Sequence, residues 1–183
     1  MTFLPLVGAG FILTTRGDEA VVARNARNIA LWTSVIDFAL SLLLWLQFDP
    51  NTADFQFVER ADWVTLGGFQ FAYHMGIDGI SLFFVLLSTL LTLLSIVSAW
   101  EVIQFRVKEF MIAFLVLETL MVGIFCALDF VLFYMFFEGV LIPMFLIIGI
   151  WGGSNRIYSA FKFFLYTFLG SILMLLGVIA VYF

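Results

Sequence analysis

Long apolar runs separated by short polar stretches set the pattern of this chain. Six runs stand out, at about Thr2–Thr15, Ile29–Phe48, Gly79–Trp100, Phe110–Leu128, Phe130–Ile150 and Ile157–Phe183. All but the first reach the roughly 20 residues that a helix needs to cross a ~30 Å hydrocarbon core. The first is only about 21 Å long at ~1.5 Å per residue, and it too is predicted to span. Between residues 49 and 78 the period changes. There Phe55, Phe57, Phe69, Phe71 and Tyr73 alternate with other residues around Leu66-Gly67-Gly68. That period of two predicts a β-hairpin between the second and third helices, lying over one membrane surface. The expected fold class is an all-α integral membrane protein of about six transmembrane helices, with an outer hairpin, forming one membrane domain over 1–183.

Composition agrees. The chain is 64% hydrophobic and 11% charged, where a soluble domain is about half apolar and a quarter charged. So much apolar surface calls for lipid and neighbouring subunits to cover it. Charge then orients the helices. Arg16, Arg24, Arg27, Arg106, Lys108, Arg156 and Lys162 fall in or beside alternate connections, and Arg60 alone falls among the others. The positive-inside rule makes the basic side cytoplasmic, or matrix in a mitochondrion, and puts the N-terminus outside. The run Val178-Ile-Ala-Val-Tyr-Phe183 ends without a polar tail, which predicts that the chain continues.

Several functions are excluded by residue type. With one cysteine, Cys126, and one histidine, His74, the chain cannot build a disulfide framework, a zinc cluster or a bis-histidine haem site. No glycine-rich phosphate loop follows a strand. A net charge of −5 argues against nucleic acid. Electron transfer, if the parent system performs it, is expected elsewhere, with no redox centre in this chain.

The candidate chemistry lies in the apolar runs. Glu138 stands near the middle of Phe130–Ile150, where an ionisable group costs about 2.5–3.5 kcal/mol on insertion scales. Such residues usually line a proton or ion path. Pro143 has no N–H to offer the carbonyl of Gly139, so a polarised acceptor and a kink are expected beside Glu138. Glu118 lies ten residues before the Leu128-Asp129 pivot and Glu138 ten after Leu128. An antiparallel helix pair would hold both about 15 Å from that turn, near mid-membrane. Carboxyls in such low dielectric can load and release protons near neutral pH. The sequence does not fix whether they touch.

Lys162, a turn and a half into the last helix, can snorkel to the interface or serve as a proton relay or modulator of Glu138. Asp37 is read as a structural polar contact to Thr33, Ser34 or Ser41. Asp129 is read as a helix N-cap, and His74 as a surface or capping residue.

The run Met75-Gly-Ile-Asp-Gly-Ile-Ser-Leu-Phe-Phe84 resembles the start of the third helix in antiporter-like subunits of respiratory complex I. So do Leu117–Asp129, Phe136-Phe-Glu-Gly-Val-Leu-Ile-Pro143 with its continuation to Gly153, and Arg156–Thr167. Together they resemble the subunit M family, the bacterial counterpart of mitochondrial NADH dehydrogenase subunit four. The resemblance implies the N-terminal part of a fourteen-helix antiporter-like fold with two inverted five-helix repeats. Glu138 matches its essential fifth-helix glutamate, and Lys162 matches a lysine of its sixth-helix motif.

The function implied by the resemblance is that of a proton-translocating membrane subunit of NADH:quinone oxidoreductase, in a bacterial inner or mitochondrial inner membrane. FMN, iron–sulfur clusters and quinone are then expected in partner subunits, and the partners are other membrane subunits, including neighbouring antiporter-like ones. The family's broken helices seven and twelve lie outside this sequence. Two other readings are a subunit of a multi-subunit sodium/proton antiporter and a structural membrane scaffold.

Overall fold

The computed structural model describes the backbone of residues 1–66 and 69–182 and the side chains of 1–61 and 72–180. Six helices and one hairpin follow in the order α1 (Leu4–Thr14), α2 (Glu19–Gln47), β1 (Gln56–Leu66), β2 (Phe69–Ile77), α3 (Gly79–Val102), α4 (Val107–Cys126), α5 (Phe130–Trp151) and α6 (Arg156–Tyr182). Helices α2 to α6 are each long and apolar enough to cross a membrane. Neighbours in sequence pack against one another, and α4 also packs against α1 and α2. That makes α4 the central helix, and half of its most apolar stretch is buried inside the chain, against 6% for α6.

Two expectations need correcting. α2 begins at Glu19, ten residues before the apolar run, because hydropathy reports what lipid would cover rather than what is helical. Its first turns, Glu19-Ala-Val-Val-Ala-Arg, are rich in residues that favour helix, so most of the expected first loop is helical. α1 is an 11-residue helix, ~16 Å long and too short by itself for a ~30 Å core. Its flanks nevertheless bring it near both ends of the bundle. Met1 packs beside Phe48 and Tyr73 at the hairpin end, and Lys108 Nζ donates to the carbonyls of Leu13 and Thr15 at the other. A Cβ on Gly8 would collide with the Thr33 side chain, so glycine is what lets α1 lie against α2.

The hairpin is antiparallel as expected, with Glu59 opposite Met75 and Arg60 opposite His74. The Gly67-Gly68 part of the predicted turn lies outside the described residues. β1 is irregular between Gln56 and Glu59, where Phe57 takes φ 53°. That bulge breaks the strict alternation the sequence suggested. The sheet is fastened to the helices at the α4–α5 turn. Leu128 N donates to His74 O at 2.9 Å, and Met75 bridges Ala127. A Cβ on Gly76 would stand 2.7 Å from Leu128 Cδ1, so the contact is close.

At the opposite end Arg27 donates to Ile103 O and Trp151 Nε1 donates to Phe105 O. The charged segments around Glu19, Arg27, Arg106, Lys108 and Glu109 therefore meet there. The division of basic residues between the two ends, inferred from hydropathy, is thus a property of the folded chain.

Candidate functional site

Asp129 caps α5, accepting from Val131 N at 2.9 Å and Leu132 N at 3.1 Å. From that cap α5 runs as one helix through Pro143 to Trp151. Pro143 cannot donate to Gly139 O, which removes one backbone bond one residue beyond Glu138. Close packing fixes the register against α4. A Cβ on Gly123 would stand 2.7 Å from the Phe136 ring, and one on Gly139 would stand 2.9 Å from Leu120 Cδ2. Those two pairings make Glu138 level with Met121, three residues or about 4.5 Å along the axis from Glu118. The two glutamates are at similar depth, as the hairpin arithmetic suggested. They are not aimed at one another.

Glu138 is half-buried and turns toward α6. Its Oε1 accepts a hydrogen bond from Ser171 Oγ, and the phenol of Tyr134, one turn earlier, reaches both Glu138 and Ser171. Ser171 Oγ also lies 2.8 Å from Phe168 O. A serine hydroxyl carries one hydrogen and two lone pairs, so this arrangement can serve both states of the carboxyl. Ionised Glu138 accepts from Ser171. Protonated Glu138 can donate to Ser171 Oγ, whose own hydrogen then goes to the Phe168 carbonyl. In the sequence Ser171 is one of several α6 residues able to hold water; its register against α5 is not legible there.

Glu118 turns the other way. It is 1% exposed and Asp37 is 0% exposed, on the helices α4 and α2, which pack together. The hydroxyls expected to satisfy Asp37 are otherwise engaged. Ser34 Oγ donates to Leu31 O and Ser41 Oγ to Phe38 O. All four carboxyl oxygens of Asp37 and Glu118 are buried without a hydrogen-bond partner. The reading of Asp37 as a residue held by neighbouring hydroxyls is therefore corrected, and Ser34 and Ser41 instead fold back onto α2, a common habit of Ser and Thr in helices.

Lys162 is exposed, with its ammonium 5.8 Å from the centre of the Tyr158 ring. It precedes Ser171 by nine residues, about 2.5 turns, so it lies on the opposite side of α6 from the Glu138 contact. Within this chain Lys162 and Glu138 are not brought together. Among the described residues no ion pair includes Glu138, Glu118 or Asp37.

Comparison with known proteins agrees with this architecture. Residues 127–183 match the family described as NADH:quinone oxidoreductase/Mrp antiporter, transmembrane. Over its full 183 residues the chain is 56% identical to NADH-quinone oxidoreductase subunit M of Rhodobacter capsulatus, covering 35% of that protein. Along its whole length the chain is similar to part of proteins named subunit M and chain 4. NADH-ubiquinone oxidoreductase chain 4 of Mycosarcoma maydis is 45% identical over 185 aligned residues, with 100% of this chain and 37% of that protein covered. A chain of respiratory complex I from Thermus thermophilus superposes with a TM-score of 0.77 at 28% identity, over 97% of this chain and 34% of that one. The chain thus spans about a third of the length of the curated relatives it matches. The helical bundle and its two-stranded hairpin are the architecture of an antiporter-like subunit.

Proposed function

We propose that this chain forms the first part of a proton-translocating membrane subunit of NADH:quinone oxidoreductase, in which Glu138 is the group that takes up and releases the proton. The observation that carries this reading is the Glu138–Ser171 contact. A carboxyl amid apolar residues is given a hydroxyl that can bond it in either protonation state, beside a backbone carbonyl freed by Pro143. Such an arrangement lets a proton arrive and leave without stranding a polar group.

In this proposal the chain is part of a longer, fourteen-helix antiporter-like fold. The basic partner of Glu138 comes from a broken seventh helix outside this sequence, and Lys162 acts from the outer face of α6 on a neighbouring element. FMN, iron–sulfur clusters and quinone belong to partner subunits, neighbouring membrane subunits flank this one, and the chain itself contributes no redox centre. The hairpin end and the N-terminus face outward from a bacterial inner or mitochondrial inner membrane, which the clustering of basic residues at the other end supports.

The test is Glu138→Gln in the full-length subunit within its membrane assembly. Assembly is retained, while proton uptake coupled to quinone reduction falls by about tenfold or more, as for loss of a positioned proton carrier. Full pumping in that variant would overturn the role of Glu138. The matched family description also names Mrp antiporters, which supports one second reading, a sodium/proton antiporter subunit. Sodium-driven proton flux independent of quinone reduction would favour it.

A further inference from the structure

Asp37 on α2 and Glu118 on α4 have no place in the chemistry of Glu138. Each is sealed from solvent, and each leaves both carboxyl oxygens without a hydrogen bond. Two ionised carboxylates in that state would repel one another with no compensation, an arrangement buried charges do not sustain.

Among the described residues no side-chain cation forms an ion pair with either carboxyl. Arg27, ten residues before Asp37 on α2, is bound to Ile103 O. Lys108, ten residues before Glu118 on α4, is bound to Leu13 O and Thr15 O. From α1 the Met1 ammonium acts on Asp37 from the hairpin end. α3 presents the hydroxyl of Thr89, which donates within its own helix and meets Ser41 at 3.0 Å. α5 offers Glu138, engaged by Ser171, and Lys162 of α6 faces away. A monovalent metal ion would still leave one net charge among Leu115, Val122 and Ile96, whereas protons can neutralise both groups.

A route for those protons is present. A cavity of about 340 Å³ opens beside Glu118 between α3, α4 and α5. It is lined on the α3 side by Ser88, Thr92 and Ser95, and it reaches Met144 of α5 and Phe163 of α6. Ser88 and Thr92 donate within α3 to Phe84 O and Ser88 O, so a water entering this mostly apolar space would meet their lone pairs and the Glu118 carboxyl. We propose that Asp37 and Glu118 form a second proton-binding site, sharing protons across the α2–α4 interface and exchanging them through the cavity beside Glu118. The site stands independently of the role assigned to Glu138.

The experiment uses the full-length subunit in its membrane assembly, reconstituted in liposomes. Dicyclohexylcarbodiimide, an apolar reagent that adds to protonated carboxyls, is applied over a range of pH and the modified residues are mapped by peptide mass spectrometry. Labelling of Glu118 or Asp37 is expected at neutral pH, in the wild type and in Glu138→Gln alike. It declines as pH rises and is unaffected by sodium. Protection by sodium would overturn the proposal in favour of a cation site. So would labelling of Glu138 with neither Asp37 nor Glu118 modified.

If none of the three is labelled, the Asp37→Asn/Glu118→Gln double variant decides. The amides mimic the neutral pair, so the thermal midpoint of the assembly should be retained at neutral pH and raised at alkaline pH relative to wild type. A lowered midpoint at both would overturn the proposal.

Discussion

Ser171 on α6 donates a hydrogen bond to Glu138 on α5, and it does so from within reach of the Phe168 carbonyl. One hydroxyl thereby couples the last two helices of the chain to the protonation of a single carboxyl. Ser171→Ala should remove the hydroxyl that bonds Glu138 there. A typical hydrogen bond is worth about 0.5–1.5 kcal/mol, so coupled proton transfer should fall several-fold, less than in Glu138→Gln. Ser171→Thr keeps the hydroxyl and should restore most of it. Proton-pumping rates of the two variants, measured at equal assembly, check the difference.

The α4–α5 register rests on glycine. Gly123→Leu places a side chain where the Phe136 ring already stands, and overpacking of this kind costs about 1–3 kcal/mol. The thermal midpoint should fall, and Phe136→Ala in the same chain should recover part of the loss. A midpoint in the double variant no better than that of Gly123→Leu alone would mean that the two residues do not oppose one another.

α3 begins with a reciprocal cap. Asp78 accepts from Ser81 N at 2.6 Å and Ile80 N at 3.1 Å, while Asp78 N donates to Ser81 Oγ at 2.8 Å. Asp78 stands at the hairpin end, ahead of the apolar helix. The backbone hydrogen bond from Ser81, followed in effect by the Ser81 side chain and the Ile80 amide, holds its carboxyl below its ordinary value. A depressed carboxyl stabilises the fold above the unfolded value near ~3.9, and that stabilisation is lost as pH falls through the folded value. Asp78→Ala should cost about 1 kcal/mol at neutral pH and weaken the loss of stability on acidification. Unfolding midpoints of the two proteins should therefore converge as pH drops below about 4.

Lys108 ties the end of α1 to the start of α4 through two bonds of 3.0 Å. A cation on the last carbonyls of a helix is worth about 1 kcal/mol. Lys108→Met keeps the aliphatic stem and removes both bonds. Hydrogen exchange at the backbone amides of 12–15 should accelerate roughly fivefold in that variant, with exchange in α5 unchanged.

How much of the fold and the site is legible in the sequence depends on the physics of each signal. Hydropathy locates α2 to α6 because lipid-facing and core-facing residues are both apolar, and it misses Glu19–Asn28 because that amphipathic start of α2 is helical without being apolar. The period of two finds the hairpin, although the bulge at Phe57 breaks its alternation. Spacing about Leu128 gives the depth of Glu118 and Glu138. It cannot give their facing, which depends on Gly123 and Gly139 letting α4 and α5 approach in one rotational setting. For the same reason the sequence pairs Asp37 with nearby hydroxyls and cannot show that Asp37 and Glu118 are both buried on helices that pack together. For Lys162 the sequence leaves snorkelling and a role beside Glu138 both open, and its separation from Glu138 within this chain emerges from counting turns once Ser171 is known to face α5.

The join between Leu128 and His74 holds one end of the α4–α5 pair, and the Trp151–Phe105 bond holds the other. Because the α4–α5 turn is stitched to the strands, a tilt of α5 must pivot there, and its displacement grows with distance from the hairpin. Glu138, two turns and more down that lever, would move modestly, while a larger tilt would have to break the Trp151–Phe105 bond at the far tip. The hairpin thus works as an anchor plate, which makes the basic end of the molecule the place where mechanical work could enter or leave.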